Sequence, residues 1–214
     1  MSAAEPVHAG MEQPTDDLEG PVLSEGAREI ARRIIAKYPS PRSALVPLLY
    51  LVQSEVGWVP HQGMREVAGL LGLKTAEVEA VATFYTMVKL HPAGRYVLSF
   101  CTNPACSLAG GKRLYERARE LLGDAADHGA TDDGLFTVEE EECMAACDKA
   151  PVVSVNYIYY DRMARDELER LIADVRGGGA PPEAPRGAGV PGDLREVSRL
   201  LAGIHGLRPE GSHG

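Results

Sequence analysis

The chain has 214 residues, 44% of them hydrophobic and 25% charged, the proportions of an ordinary water-soluble globular protein. Its net charge of −9, with Lys and Arg scattered rather than grouped, gives no footprint for a phosphate backbone, so no nucleic-acid partner is expected. No stretch approaches the roughly eighteen uninterrupted apolar residues of a membrane span, so direct membrane insertion is not expected either.

Residues 1–22 are rich in Ala, Glu, Pro and Gly, show no apolar period, and read as a disordered acidic tail. The segment has neither the basic start and apolar core of a secretory signal nor the Arg-rich, acid-poor character of a transit peptide. A bacterial-type cytoplasm is therefore the expected compartment. Thiols stay reduced there, which favours metal ligation or redox chemistry over structural disulfides.

Four short helices are expected over residues 23–92. Ser24 reads as the N-cap of "SEGAREIARRIIAKY", in which Ala27, Ile30, Ala31, Ile34 and Ile35 form one stripe at helical spacing. After the break at "YPSPR", a second helix is expected in "SALVPLLYLVQSEVG", with Ser43 as cap and Pro47 in the first turn. A third is expected over His61 to Leu71. A fourth begins at Thr75, with Val78, Val81, Ala82 and Tyr85 on one face.

The texture changes at "HPAGRY". "YVLSFC" is a β-type run ending in Cys101, and "GGKRLYERARELLG" is a helix with Leu114, Ala118, Leu121 and Leu122 as its apolar face. "LFTVEEEEC" reads as a strand, and "PVVSVNYIYYD" as two short strands turning near Asn156 and Tyr157. "RDELERLIADV" reads as a helix bearing Leu168, Leu171, Ile172 and Val175. The order β-α-β-β-β-α over 93–176 predicts an α/β fold of thioredoxin-like type behind the small helical domain. Residues 177–192 are a Gly/Pro-rich linker by composition. The 193–214 tail holds one possible short helix, with Asp193 as cap and Glu196 three residues on. That helix cannot bury its Leu/Val stripe unaided, so it either docks or stays loose.

All four cysteines lie in "CTNPAC" and "ECMAAC": Cys101 and Cys106, then residues 107–142, then Cys143 and Cys147. Four thiolates complete the shell of a [2Fe–2S] cluster or of a structural zinc, so their number leaves both open. The spacing favours iron–sulfur. Zinc knuckles prefer two-residue gaps, and the Cys-x-x-Cys of a thioredoxin dithiol is absent. A [2Fe–2S] cluster with four thiolates carries a charge of about −2, and about −3 after one electron, which calls for compensating donors and dipoles. Residues 101–106 read as a loop, with a helix starting near Leu108 to Gly110 whose N-terminus could turn toward that charge. Thr102, Asn103 and Ser107 add short polar side chains. Both pairs are expected to leave strand ends on one edge of the sheet and converge.

"CTNPAC" and "ECMAACDKAPVVSVN", together with "LVQSEVGWVP" and "VEAVATFYTM", resemble the 24 kDa-type [2Fe–2S] subunit of the NADH-oxidising module of respiratory complex I, from about Ile30 to Val175. The resemblance implies a helical domain, a thioredoxin-like domain, and one [2Fe–2S] cluster held by Cys101, Cys106, Cys143 and Cys147. It also implies a flavoprotein partner that binds NADH and FMN, and a cytoplasmic position peripheral to the inner face of the cell membrane. The small subunits of NAD-linked hydrogenases and formate dehydrogenases are alternatives, and a zinc-stabilised interaction module is a further one. The chain departs from the family's usual Glu-Cys-Leu-Gly-Ala-Cys at Met144 and Ala145. If the family's Gly serves a positive φ, Ala145 carries a cost.

The remaining tempting residues have plainer readings. "AGGK" at 109–112 lacks the Gly and the Ser/Thr of a phosphate loop and reads as a loop meeting a helix, and no GxGxxG is present for a nicotinamide of the chain's own. The run "EEEE" at 139–142 is either a solvated face or a wall of charge that tunes a cluster. "FYTM" and Trp58 read as packing. The "TFYTM" stretch lies near a domain boundary with the composition of an interface centre, so the helical domain is expected to clamp the flavoprotein in a tight 1:1 heterodimer.

Overall fold

A computed structural model describes residues 18, 20–123, 126, 129–187 and 189–204. Most of the expected acidic tail and residues 205–214 lie outside the described residues.

Four α-helices come first: α1 (Glu25–Ile35), α2 (Leu45–Val56), α3 (His61–Leu71) and α4 (Thr75–Ala82). Ser24 caps α1 as its position predicts, with its Oγ accepting from Ala27 N–H at 3.1 Å. Ser43 does not cap α2. Pro41, its φ already helical, starts a 3₁₀ turn over Pro41–Ala44 that absorbs Ser43, and α2 follows from Leu45. Helix α2 buries residues on every side, among them Leu45, Leu48, Leu49, Leu51 and Val52. A helix apolar all round belongs inside a bundle, and α2 is the axis of the first core, to which α1, α3 and α4 add Ala27, Ile34, Val67 and Val78. Helix α4 ends at Ala82, so Tyr85 falls beyond it and is 44% exposed instead of joining the Val78 face.

The second core is built on a four-stranded sheet of β1 (Tyr96–Cys101), β2 (Phe136–Glu141), β3 (Val153–Val155) and β4 (Ile158–Tyr160) in the order β2-β1-β3-β4. Strand β1 runs parallel to β2 and antiparallel to β3, and β3 is antiparallel to β4. Helices α5 (Pro104–Leu108) and α6 (Gly111–Leu122) follow β1, and α7 (Arg165–Arg176) follows β4. One sheet face, bearing Leu98, Phe100, Phe136 and Val138, packs on Leu114 and Ala118 of α6 and on Leu168 and Leu171 of α7. The opposite face, bearing Ser99, Thr137 and Glu139, meets the 86–94 segment arriving from the helical bundle. The β3–β4 turn places Asn156 and Tyr157 at φ 46° and 72°, the positive values that a tight two-residue hairpin requires. Asn156 holds this turn with its side chain, accepting from Val97 N–H at 2.8 Å and donating to the carbonyls of Arg95 and Gly192.

The C-terminal helix α8 (Leu194–Leu201) docks. Asp193 and Glu196 form the expected capping box, and α8 lies along α2, where Gln53 Nε2 donates to the buried Ser198 Oγ at 3.0 Å. Ala202 and Ile204 join the first core. Before α8, the Gly/Pro-rich stretch runs along β4: Tyr160 Oη donates to Pro182 O, and Arg186 pairs with Asp161 at 2.7 Å.

Candidate metal centre

Topology explains why the cysteine-bearing segments come to one end of the sheet. Because β1 and β2 are parallel, their C-terminal ends share one end of the sheet; because β3 is antiparallel, its N-terminal start lies there too. Cys101 is the last residue of β1, Cys143 stands two residues beyond β2, and Cys147 opens the 3₁₀ turn Cys147–Lys149 that leads to β3. Cys101 N–H donates to Val152 O at 3.2 Å, fastening the two cysteine segments together.

Cys106 is not in a loop. Pro104 starts the short helix α5, which holds Cys106 buried under the end of β1, and the chain turns again through Gly110 at φ 105° before α6. The helix that follows the first cysteine pair thus begins at Gly111, with α5 inserted ahead of it. A Cβ at Gly111 would lie 2.4 Å from Cys101 O and 3.0 Å from Cys106 O. The end of α6 touches the backbone of both cysteines only because residue 111 has no side chain.

Cys101, Cys106, Ala146 and Val152 form a small apolar cluster of their own, with Met144, Ala150 and Tyr159 packed on it. Cys143 and Cys147 are exposed, and their sulfurs stand 3.8 Å apart. Two thiolates on one tetrahedral metal with bonds of ~2.3 Å are separated by about that distance. Burial pushes the Cys106 thiol up, reinforced by Cys101, and Cys147's charge reaches it as well. The Cys147 thiol is pushed up by its contact with Cys143, and it also feels Cys101. In both cases neighbouring thiols oppose ionisation, and a cation that displaces their protons reverses the sign. Among the described residues, no group of three His, Cys, Asp or Glu side chains stands close enough together to hold a metal ion. A [2Fe–2S] cluster asks for two thiolates on each of two irons, and the site offers two pairs, one buried and one exposed.

Ala145 lies at φ 54°, in the left-handed region that a glycine at this place in the motif would adopt without strain. In that conformation its N–H donates to Cys143 Sγ at 3.4 Å. Around the rim, Thr102 Oγ1 donates to Glu140 at 2.6 Å, while Asn103 makes no side-chain cap bond to α5.

The family model described as thioredoxin-like [2Fe-2S] ferredoxin matches residues 31–176. The chain belongs to this family. Its fold is accordingly the expected thioredoxin-like α/β one with helices in front, and its cofactor is one [2Fe–2S] cluster. It is 44% identical to a subunit of the NADH-quinone oxidoreductase of Mycobacterium tuberculosis over 86% of this chain and 72% of that protein. It is 38% identical to NADH-quinone oxidoreductase subunit 2 of Thermus thermophilus over 71% of this chain and 84% of the relative. Among solved structures, an NAD+-reducing [NiFe]-hydrogenase superposes with a TM-score of 0.55 at 22% identity, over 63% of this chain and 23% of the hydrogenase chain. This chain spans under a quarter of that polypeptide, and the likeness is one of fold.

Cysteine spacing pointed to this end of the sheet, but it did not reveal Gly111 or Val152. The Gly-Gly of "AGGK" was the available signal for the first, although nothing in it tells close approach from a plain turn.

Proposed function

We propose that this chain is the electron-transfer subunit of an NADH:quinone oxidoreductase, with Cys101, Cys106, Cys143 and Cys147 holding its [2Fe–2S] cluster. The observation that carries the assignment is the delivery of both cysteine pairs to one end of the sheet, the exposed pair already at the sulfur separation of a shared tetrahedral metal. When bound, the cluster supplies one-electron acceptance, which a dinucleotide's two-electron hydride cannot use directly; a flavin must stand between them. The chain offers no dinucleotide fingerprint, so NADH and FMN belong to a partner flavoprotein.

The chain's own residues do three things. Cys101 and Cys106 fix one side of the cluster in an apolar wall, Ala145 N–H donates to the sulfur of Cys143, and the outer pair remains at the surface, where an electron can arrive. Exposed apolar side chains support such a partner. Leu108, two residues from Cys106, is 89% exposed, and Phe84, stacked edge-on against Tyr85, is 77% exposed. Large side chains of this kind in water mark protein interfaces, and the helical bundle that carries Phe84 is suited to clamp the flavoprotein. Among the described residues no helix is long and apolar enough to cross a membrane.

The test is reduction by NADH, followed as bleaching of the cluster's visible absorbance. NADH should leave the isolated chain coloured and should bleach it once the flavoprotein partner is added. Bleaching of the isolated chain by NADH, or none in the complex, overturns the proposal.

A further inference from the structure

The acidic run at 139–142 is divided by the structure in a way its sequence does not show. Glu140 and Glu142 are exposed, whereas Glu139 and Glu141 lie on the sheet face turned toward the helical bundle, in register with Ser99 and Cys101. Glu141 is thus the direct neighbour of Cys101, and Glu139 lies two residues back. With ~3.3 Å per residue along the strand and ~4.8 Å between strands, the Cα atoms of Glu139 and Cys101 are about 8 Å apart. Two carboxylates therefore line the approach to a site whose cofactor becomes more negative on reduction.

One cation answers them. Lys89 is 6% exposed, and all three of its ammonium protons are engaged: its Nζ stands 2.7 Å from each Glu139 oxygen and 2.9 Å from Thr86 O. Burying an ammonium costs least where every donor has a partner, as here. Its backbone is fixed as well. Lys89 N–H donates to Gln53 Oε1 at 2.7 Å, and Lys89 O accepts from Val59 N–H. Two residues earlier, Met87 O accepts from Gln53 Nε2 and from Tyr157 Oη. The ammonium is therefore built into the junction between bundle and sheet, and its placement is not an accident of a mobile surface side chain.

We infer that Lys89 sets the reduction potential of the cluster: its buried ammonium neutralises Glu139 on β2, the strand paired with the one that ends in Cys101, and so keeps the cluster reducible. This rests on the [2Fe–2S] reading. Charge and scaffolding make different predictions. If Lys89 acts through charge, removing it deepens the negative field and lowers the potential, and removing the charge of Glu139 raises it. If the pair is only a strut, both changes loosen the same contact and act alike.

The experiment is a spectroscopic redox titration of the loaded full chain, with iron content measured first, for Lys89→Met, Glu139→Gln and the double variant. The expected result is a fall in potential for Lys89→Met, a rise for Glu139→Gln, and a return toward the parent value in the double variant. Glu139→Gln keeps an oxygen for Lys89 to bond, so it remains informative even if Lys89→Met fails to fold. Potentials that do not move, or that move in the same direction in both single variants, overturn the inference while leaving the cluster reading intact. A parent chain without iron overturns that reading and this inference with it.

Discussion

Ala145 is the residue at which the cysteine loop is most open to a simple test. Its φ of 54° is one an L-residue adopts at a cost of about 1–2 kcal/mol, and glycine adopts it freely. Ala145→Gly removes that cost but enlarges the freedom of the unfolded chain, which takes back about 0.4–1 kcal/mol. The net gain is about 0.8 kcal/mol, worth roughly 2–3 °C for a chain of this size. Ala145→Val goes the other way. A β-branched side chain in the left-handed region adds strain of about 1–2 kcal/mol beyond alanine, so the midpoint should fall by roughly 2–8 °C. The assay is loss of the cluster's visible absorbance on heating at one fixed scan rate, since unfolding with cluster loss is irreversible. Glycine preserves the N–H that donates to Cys143 Sγ, so its potential should shift only modestly, whereas valine should disturb both the bond and the potential. A valine variant as stable as the glycine one would show that the loop does not hold a left-handed residue 145 once the cluster is bound.

Three further outcomes follow from the same structure. Gly111→Ala places a methyl 2.4 Å from Cys101 O, and overpacking of this kind should cost about 1–3 kcal/mol and lower the iron content, read by thermal unfolding and metal analysis. Cys101→Ala or Cys143→Ala removes one of four thiolates and should abolish or severely weaken cluster retention, seen as loss of visible absorbance. Tyr160's phenol is pushed up to about 12 by burial, so its contribution to stability is complete below pH ~10 and is lost as the pH rises to about 12. Tyr160→Phe should flatten that alkaline loss in a denaturant-midpoint profile and cost about 1 kcal/mol at neutral pH for the missing bond to Pro182 O.

What the sequence made legible was whatever is periodic or locally coded. The α1 stripe, the α7 stripe, the Asp193 capping box and even the Asn156–Tyr157 turn, which contains no glycine, were readable because each is settled within a few residues. The cysteine pairs were readable for the same reason. Features that depend on packing were not. Ser43 looked like a cap, but Pro41 two residues earlier had already started the turn. Cys106 sat in an apparent loop because a five-residue helix is too short to show a period. Tyr85 matched the α4 spacing but lies past the helix end, and the docking of α8 required the surface of α2 to be known. Lys89 was indistinguishable from any surface lysine until the sheet brought Glu139 against it.

In the proposed centre, four thiolates from three strand ends hold one [2Fe–2S] cluster. Iron, acid-labile sulfide and zinc, measured per chain on anaerobically purified protein, test it most directly. The account predicts two irons and two sulfides with only trace zinc. One zinc per chain and no iron would contradict it.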